Sequence, residues 1–291
     1  MMPPSSAIPE QLLTVVAAST VFTVMFVLGL GIVLREFRWV WGRPALVAKG
    51  LFSVLIAIPA LALIVTRAFD LGRAAQIGIV LMAISPGAPV ALRRSLSAGG
   101  HRAFAPALQI LVALLAVVSM PLSIAVLNEL YVGHAAITPG HLARQVFTAQ
   151  LLPLGLGMFL RRVSPLLAAW LEARLARVAT VLLILLVILA LIDIWEVVVG
   201  AGLRVALAIA VVTILALIIG HLMGGPEPDT RTAVAISSAA RNPGLALLVA
   251  TLNAASPAIN ATVLAYLVVS ALTVIPYVIW RRRAASRQGE R

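Results

Sequence analysis

The chain has 291 residues, 62% of them apolar and only 11% charged, and its 22 basic residues against 10 acidic ones leave a net charge of +12. A soluble domain carries roughly 25% charged residues, whereas this apolar content suffices for eight or nine bilayer spans of about 20 residues each, so the composition fits a polytopic membrane protein and not a water-soluble globule. With no cysteine in the chain, disulfides, thiolate nucleophiles and cysteine-ligated metals are excluded.

The N-terminus, MMPPSSAIPE, has no basic stretch before the first apolar run, and that run, Gln11 to Leu34, is longer than a signal-peptide core. It reads as a retained first span. Apolar runs bounded by Arg, Pro and Gly then predict spans at Pro44 to Thr66, Gly72 to Leu96, Ala103 to Leu130, Pro139 to Leu160, Ala173 to Val199, Leu203 to Leu222, Thr230 to Leu252 and Pro257 to Trp280. The expected protein is therefore all-α, with nine transmembrane helices. Its organisation is an extracytoplasmic tail (1–10), a single transmembrane domain (11–280) and a basic cytoplasmic tail (281–291).

Nine spans put the termini on opposite sides. Seventeen basic residues fall on the side of the odd-to-even connections and the C-terminal tail, four (Arg67, Arg73, Arg144, Arg204) fall on the other, and Arg241 belongs to neither. The positive-inside rule then predicts an inner-membrane protein with its N-terminus outside and its C-terminus in the cytoplasm. Orientation and contact with anionic lipid account for the excess charge, and no nucleic-acid partner is expected.

Spans three and eight each carry a Pro-Gly pair near the bilayer midplane: Ser85-Pro86-Gly87, with Pro89 beyond it, and Asn242-Pro243-Gly244. Proline removes an amide donor and clashes with the carbonyl four residues earlier, so each span is expected to unwind and restart as a half-helix. The breaks lie five spans apart, so the two helices run in opposite directions, as in an inverted repeat whose halves cross at a substrate site. Two unrelated proline kinks are the alternative. The segments from Ser85 to Pro89 and from Arg241 to Gly244 are predicted to be non-helical and to approach each other.

These residues, with Val21 to Gly31 (VFTVMFVLGLG), Ile58-Pro59, SPGAPV at Ser85 to Val90, Gly100, Met120-Pro121 and RNPGLAL at Arg241 to Leu247, resemble the bile acid:sodium symporter family of secondary transporters over nearly the whole chain. The resemblance implies a core bundle of spans two, three, four, seven, eight and nine that moves against a panel of spans one, five and six. Ten-helix bacterial members would correspond with their first helix missing. Where the resemblance places sodium ligands, the sequence departs from it. The family's Glu one turn before the second break is Ser237, and the following Gln is Arg241. The Ser-Asn pair after the first break is Ala91 and Leu92, the hydroxyl residues early in the next span are Ala105 and Gln109, and a Gln of span two is Val54. A cation beside Arg241 would be repelled. Sodium is not expected at these sites, and no other cofactor is predicted.

Arg241 lies about twelve residues, or about 18 Å, from either end of its span, too deep to snorkel, so its charge needs an anion, a carbonyl cage or water. The functional reading is a fixed positive charge that stands where sodium sits in relatives, pre-forms the crossing and helps hold an anionic substrate against half-helix N-termini. The structural reading is an internal pair with Asp193 or Glu196, which lie three residues apart in span six. Ser237 and Ser238 bond either substrate or their own helix, and Gln109 bonds either substrate or a neighbouring helix. The candidate substrate-binding set is Ser85, Pro86, Gly87, Gln109, Ser237, Arg241, Asn242, Pro243 and Gly244. His101, His134, His141 and His221 sit at span ends without metal-ligand spacing, and no cluster of deep acids or nucleophiles suggests an enzyme. The leading expectation is a sodium-independent carrier of small organic anions by alternating access. A sodium symporter using backbone ligands and a non-transporting sensor are the alternatives.

Overall fold

The computed structural model describes residues 10–31, 37–87, 89–130, 138–200, 202–253 and 255–289, with the side chains at 10–11, 13, 37–38, 89–90, 187, 190–200 and 288–289 outside it. Every regular element among the described residues is helical. In chain order these are α1 (Glu10–Gly31), α2 (Phe37–Trp41), α3 (Pro44–Phe52), α4 (Ile58–Ala68), α5 (Arg73–Ala83), α6 (Pro89–Ser97), α7 (Phe104–Leu130), α8 (Pro139–Val146), α9 (Leu152–Val163), α10 (Pro165–Gly200), α11 (Gly202–Met223), α12 (Pro228–Ala239), α13 (Pro243–Leu252) and α14 (Pro257–Gly289). A π-helical turn joins α3 to α4 at Ser53–Ala57, and another joins α8 to α9 at Phe147–Leu151. Seven of the helices open on proline, whose fixed φ suits the first helical position and whose missing N–H is not needed there.

Six segments are long and apolar enough to cross a bilayer: Thr14–Gly31, Pro44–Ala68, Phe104–Leu130, Gly202–Met223, Pro228–Leu252 and Pro257–Arg287. The other three expected spans coincide in residue range with the divided pair α5 and α6, with α8 to α9, and with α10. The two boundaries that differ most from expectation are the end of α14, which continues past Trp280 to Gly289, and the start of α10, at Pro165 instead of Ala173. Helix i→i−4 bonding needs no apolar side chains, so both helices extend into stretches that the hydropathy reading assigns to tail and loop.

Glycines set the closest helix contacts. A Cβ at Gly29 of α1 would meet the Leu154 carbonyl, and one at Gly157 of α9 would meet the Phe26 carbonyl, so these helices touch backbone to backbone. Gly220 allows α11 the same approach to α12, where a Cβ would stand 2.6 Å from the Ala235 Cα. The largest buried apolar cluster joins α5, α11, α13 and α14, with Ile79, Leu247 and Tyr266 fully enclosed.

The basic chain turns meet at one end. Arg43 pairs with Glu227 at 3.2 Å and stacks on Trp39, whose ring lies 4.0 Å from His101. His101 Nδ1 accepts the Ala103 and Phe104 amides and thereby caps α7. Arg281 donates from Nε to Thr232 Oγ1 at 2.7 Å, and Arg282 reaches the Ser97 carbonyl. At the opposite end Asn253 donates to Gln145. The C-terminus of α6 and the N-terminus of α12 thus share the basic end, and the two interrupted helices run in opposite directions.

Candidate functional site

The first interruption begins where α5 runs out of donors. Residue 86 is proline, and Gly87 takes φ +87, a left-handed value that suits glycine. Ser85 turns its hydroxyl back to the Leu81 carbonyl at 2.7 Å, which leaves its own carbonyl facing outward. In the second interruption Asn242 is the N-cap of α13: its Oδ1 accepts the Leu245 amide at 3.1 Å, and Pro243 occupies the first turn. The Asn242 amide donates to the Ser85 carbonyl at 2.9 Å, so the two interruptions cross in direct contact. They are shorter than expected, because Pro89 already opens α6 and Pro243-Gly244 already belong to α13. Among the described residues, the non-helical ones at the two interruptions are Ser85–Gly87 and Ala240–Asn242.

Arg241 is 5% exposed and enclosed by carbonyls. Its Nη1 donates to Val54 at 3.0 Å and to Ala83 at 2.9 Å, and its Nη2 donates to Ser238 at 2.7 Å. Each acceptor is free for a local reason. Ala83 and Ser238 end α5 and α12, where carbonyls lack a following amide and the helix dipole is negative. At Val54 the Ile58 amide bonds Ser53, five residues back, and the next donor in that register belongs to residue 59, a proline with no N–H. A cation therefore joins three backbone elements that all present unpaired oxygen. The side chains of Asp193 and Glu196 lie outside the described residues, so the sequence-derived pairing with them falls there too. Of the guanidinium's nitrogens, Nε has no partner.

Three residues with carboxamide side chains surround the first interruption, Asn242 through its backbone amide. Asn242 reaches it at Ser85, and Gln150, fully buried in the second π-turn, has its Nε2 3.5 Å from the Pro86 carbonyl. Gln109 of α7 has its Nε2 3.7 Å from where a Cβ on Gly87 would stand. Ser237 is buried beside them on α12, and Ser238, expected to bond substrate or its own helix, instead shares a 2.8 Å hydrogen bond with Ser53. Gly244 packs against Val21 of α1. From that contact the α1 face Val24, Leu28 and Gly31 leads away along a cleft of about 790 Å³, bounded across by Leu92, Arg93 and Leu96 of α6, Arg102 and Pro106 near the start of α7, and Glu172 and Ala176 of α10. It opens toward the basic end. Val21, Met25, Ile110 and Ala113 form an apolar plug between cleft and crossing.

Proline-broken helices crossing with opposite directions, a buried charge at the crossing and a cleft beside it agree with a family model, that of the sodium bile acid symporters, which matches residues 18–201, more than half of the chain. The chain belongs to the sodium bile acid symporter family. It is accordingly a multi-pass membrane protein and a secondary transporter of the bile acid or organic anion type, in a family of transporters and not of enzymes. The matched stretch of this symporter-family protein contains Val54, the first interruption, Gln109 and Gln150, and it ends before Arg241. No curated protein matches the chain.

Sequence reasoning found both interruptions and Arg241 but missed Gln150 and the Val54 carbonyl. Gln150 sits in an otherwise apolar span, and a lone buried glutamine there signals only that something polar faces it. Among the described residues no three His, Asp or Glu side chains gather as a metal site.

Proposed function

We propose that the protein is a sodium-independent carrier of small organic anions, working by alternating access, in which the Arg241 side chain takes the place of the coupling ion. One observation carries this: a guanidinium is held by the carbonyls of Val54, Ala83 and Ser238, in a region where the family resemblance puts sodium ligands at 54, 237 and 241. Backbone oxygens converging on a point normally coordinate a metal cation; here a covalently attached cation fills that role. Substrate recognition falls to Asn242, Gly244, Ser237, Gln109 and the backbone of Ser85–Gly87, around the N-termini of α6 and α13, whose amide ends favour a carboxylate. In this reading the chain has nine spans arranged as an inverted repeat, and the cleft separates a panel (α1, α8 to α10) from a core holding both interruptions. Its mouth, with Arg93 and Arg102, faces the cytoplasm.

Uptake of a labelled organic anion into proteoliposomes is the test. Rates in sodium and in choline should agree within about twofold, and purified protein should show no millimolar sodium-specific thermal shift relative to potassium. A strict sodium requirement overturns the reading, and so does an absence of uptake for every organic anion tried.

The orientation has its own test. Because the chain has no cysteine, single cysteines at Ser6 and Ser286 report cleanly. An impermeant maleimide should label intact cells at Ser6 only, and labelling at Ser286 refutes an N-terminus-out, C-terminus-in arrangement.

A further inference from the structure

Three buried polar atoms next to the crossing have no partner: Gln150 Oε1, Asn242 Nδ2 and Arg241 Nε. Their chemistry is unequal. Gln150 offers an acceptor, while Asn242 and Arg241 offer donors. The orientations of both amides are set by the bonds they already make, since Asn242 Oδ1 is committed to the Leu245 amide and Gln150 Nε2 to the Pro86 carbonyl. Swapping oxygen for nitrogen would break those bonds. Asn242 N and Gln150 Nε2 address successive carbonyls, Ser85 and Pro86, so the two residues approach neighbouring peptide units of the first interruption.

A buried donor or acceptor left without a partner is destabilising. One ligand answers all three atoms only if it accepts at one place and donates at another. A carboxylate alone serves Asn242 Nδ2 and Arg241 Nε but leaves the glutamine oxygen bare, and beside the arginine an ammonium donor is repelled. A neutral O–H or N–H next to the carboxylate meets the whole set. Gln150 also differs from the other two in position, because it belongs to the α8 to α9 helix and not to either interrupted span. Its contact with Pro86, at 3.5 Å, is the longest of the bonds at the crossing.

We propose that Gln150 is a specificity-determining residue whose side-chain oxygen accepts a hydrogen bond from the substrate, so that the protein selects carboxylates bearing a hydroxyl or amide N–H beside the acid group. This rests on the organic-anion reading above. The amide reports, from the opposite helix, that a correctly substituted acid has arrived at the crossing.

The test is a thermal-shift titration of the purified full-length protein with two matched pairs, mandelate against phenylacetate and 2-hydroxy-3-methylbutanoate against 3-methylbutanoate. Wild type should bind each hydroxy acid about tenfold more tightly than its deoxy partner, the factor that one hydrogen bond to a buried acceptor supplies. Gln150→Met, similar in size but without the oxygen, should equalise each pair while leaving the deoxy affinities within about threefold. Gln150→Glu keeps an acceptor and should retain the hydroxyl preference while lowering the affinity for all four acids by charge repulsion, which keeps the question decidable if the methionine variant does not fold. Equal binding of the pairs by wild type overturns the role of Gln150 and leaves the anion reading standing. A preference surviving in Gln150→Met, or lost in Gln150→Glu, assigns the selection elsewhere. No shift with any of the four acids overturns the anion reading and this inference together.

Discussion

Replacing Arg241 with methionine should destabilise the protein on the order of 3–5 kcal/mol, because the carbonyls of Val54, Ala83 and Ser238 lose their donor at once. None has a helical amide to fall back on: two lie at helix ends, and the third is stranded by a π-turn followed by Pro59. Arg241→Lys should recover part of the loss. An ammonium restores the charge but lacks the planar fork that reaches two elements through one nitrogen and a third through the other. Substrate binding should follow the same order, partly kept in the lysine variant and mostly lost in Arg241→Gln. The variant Arg241→Gln combined with Ser237→Glu is the informative one. It empties the carbonyl cage and adds a carboxylate one turn away, so thermal stability should become weakly dependent on sodium, with potassium as the control. Recovery should remain small, because Ala91, Leu92 and Ala105 offer no side-chain oxygen. Melting of detergent-solubilised protein across these variants decides the matter: an Arg241→Met variant as stable as wild type refutes the cage as a structural necessity.

The second large effect is expected at Gly157. A Cβ there meets the Phe26 carbonyl and stands 2.9 Å from the Gly29 Cα, both backbone atoms that no rotamer change moves aside. Gly157→Ala must therefore separate α1 from α9, with loss of the packing along that whole contact, about 3 kcal/mol or more. Gly155 is the internal control. It lies two residues away on the same helix, and a Cβ there meets nothing within 4 Å, so Gly155→Ala should be neutral or stabilising by up to about 1 kcal/mol through helix propensity. Equal melting temperatures for the two alanine variants would show that α1 and α9 are not in backbone contact.

What could be read from the sequence was what depends on local backbone chemistry. Pro86 and Pro243 announce interruptions because the missing amide is written in the residue itself. Even the two-residue error at the second interruption was avoidable: Asn followed by Pro is an N-cap and first helical residue, which starts α13 at Pro243. Arg241 stood out because a charge far from both interfaces needs an explanation. Its partners were hidden, because they are carbonyl groups that every residue possesses, and only the π register at Ser53–Ala57 singles out Val54. Ile58-Pro59 contained half of that signal, since proline strands a carbonyl whatever the register. Gln150 was illegible for the opposite reason: it is polar, but its meaning comes from Pro86, 64 residues earlier. The close approach of α1 and α9 was partly visible in LGLG, which occurs at Leu28 to Gly31 and again at Leu154 to Gly157, although small residues alone do not say which helices meet.

A charge bonded to the polypeptide differs from a bound ion in one thermodynamic respect: it never leaves. If the proposed sodium-independent mechanism holds, the guanidinium of Arg241 returns with the helices that carry it on every cycle and taps no sodium gradient. With no coupled cation, the only forces on a transported anion are its own concentration ratio and the membrane voltage. A potential of 100 mV, negative inside, biases a single negative charge outward by about 2.3 kcal/mol, or roughly fiftyfold in concentration ratio. Under the proposed sodium-independent mechanism, and with no other coupled ion, such a carrier would export monovalent acids and import only those that metabolism removes as fast as they enter.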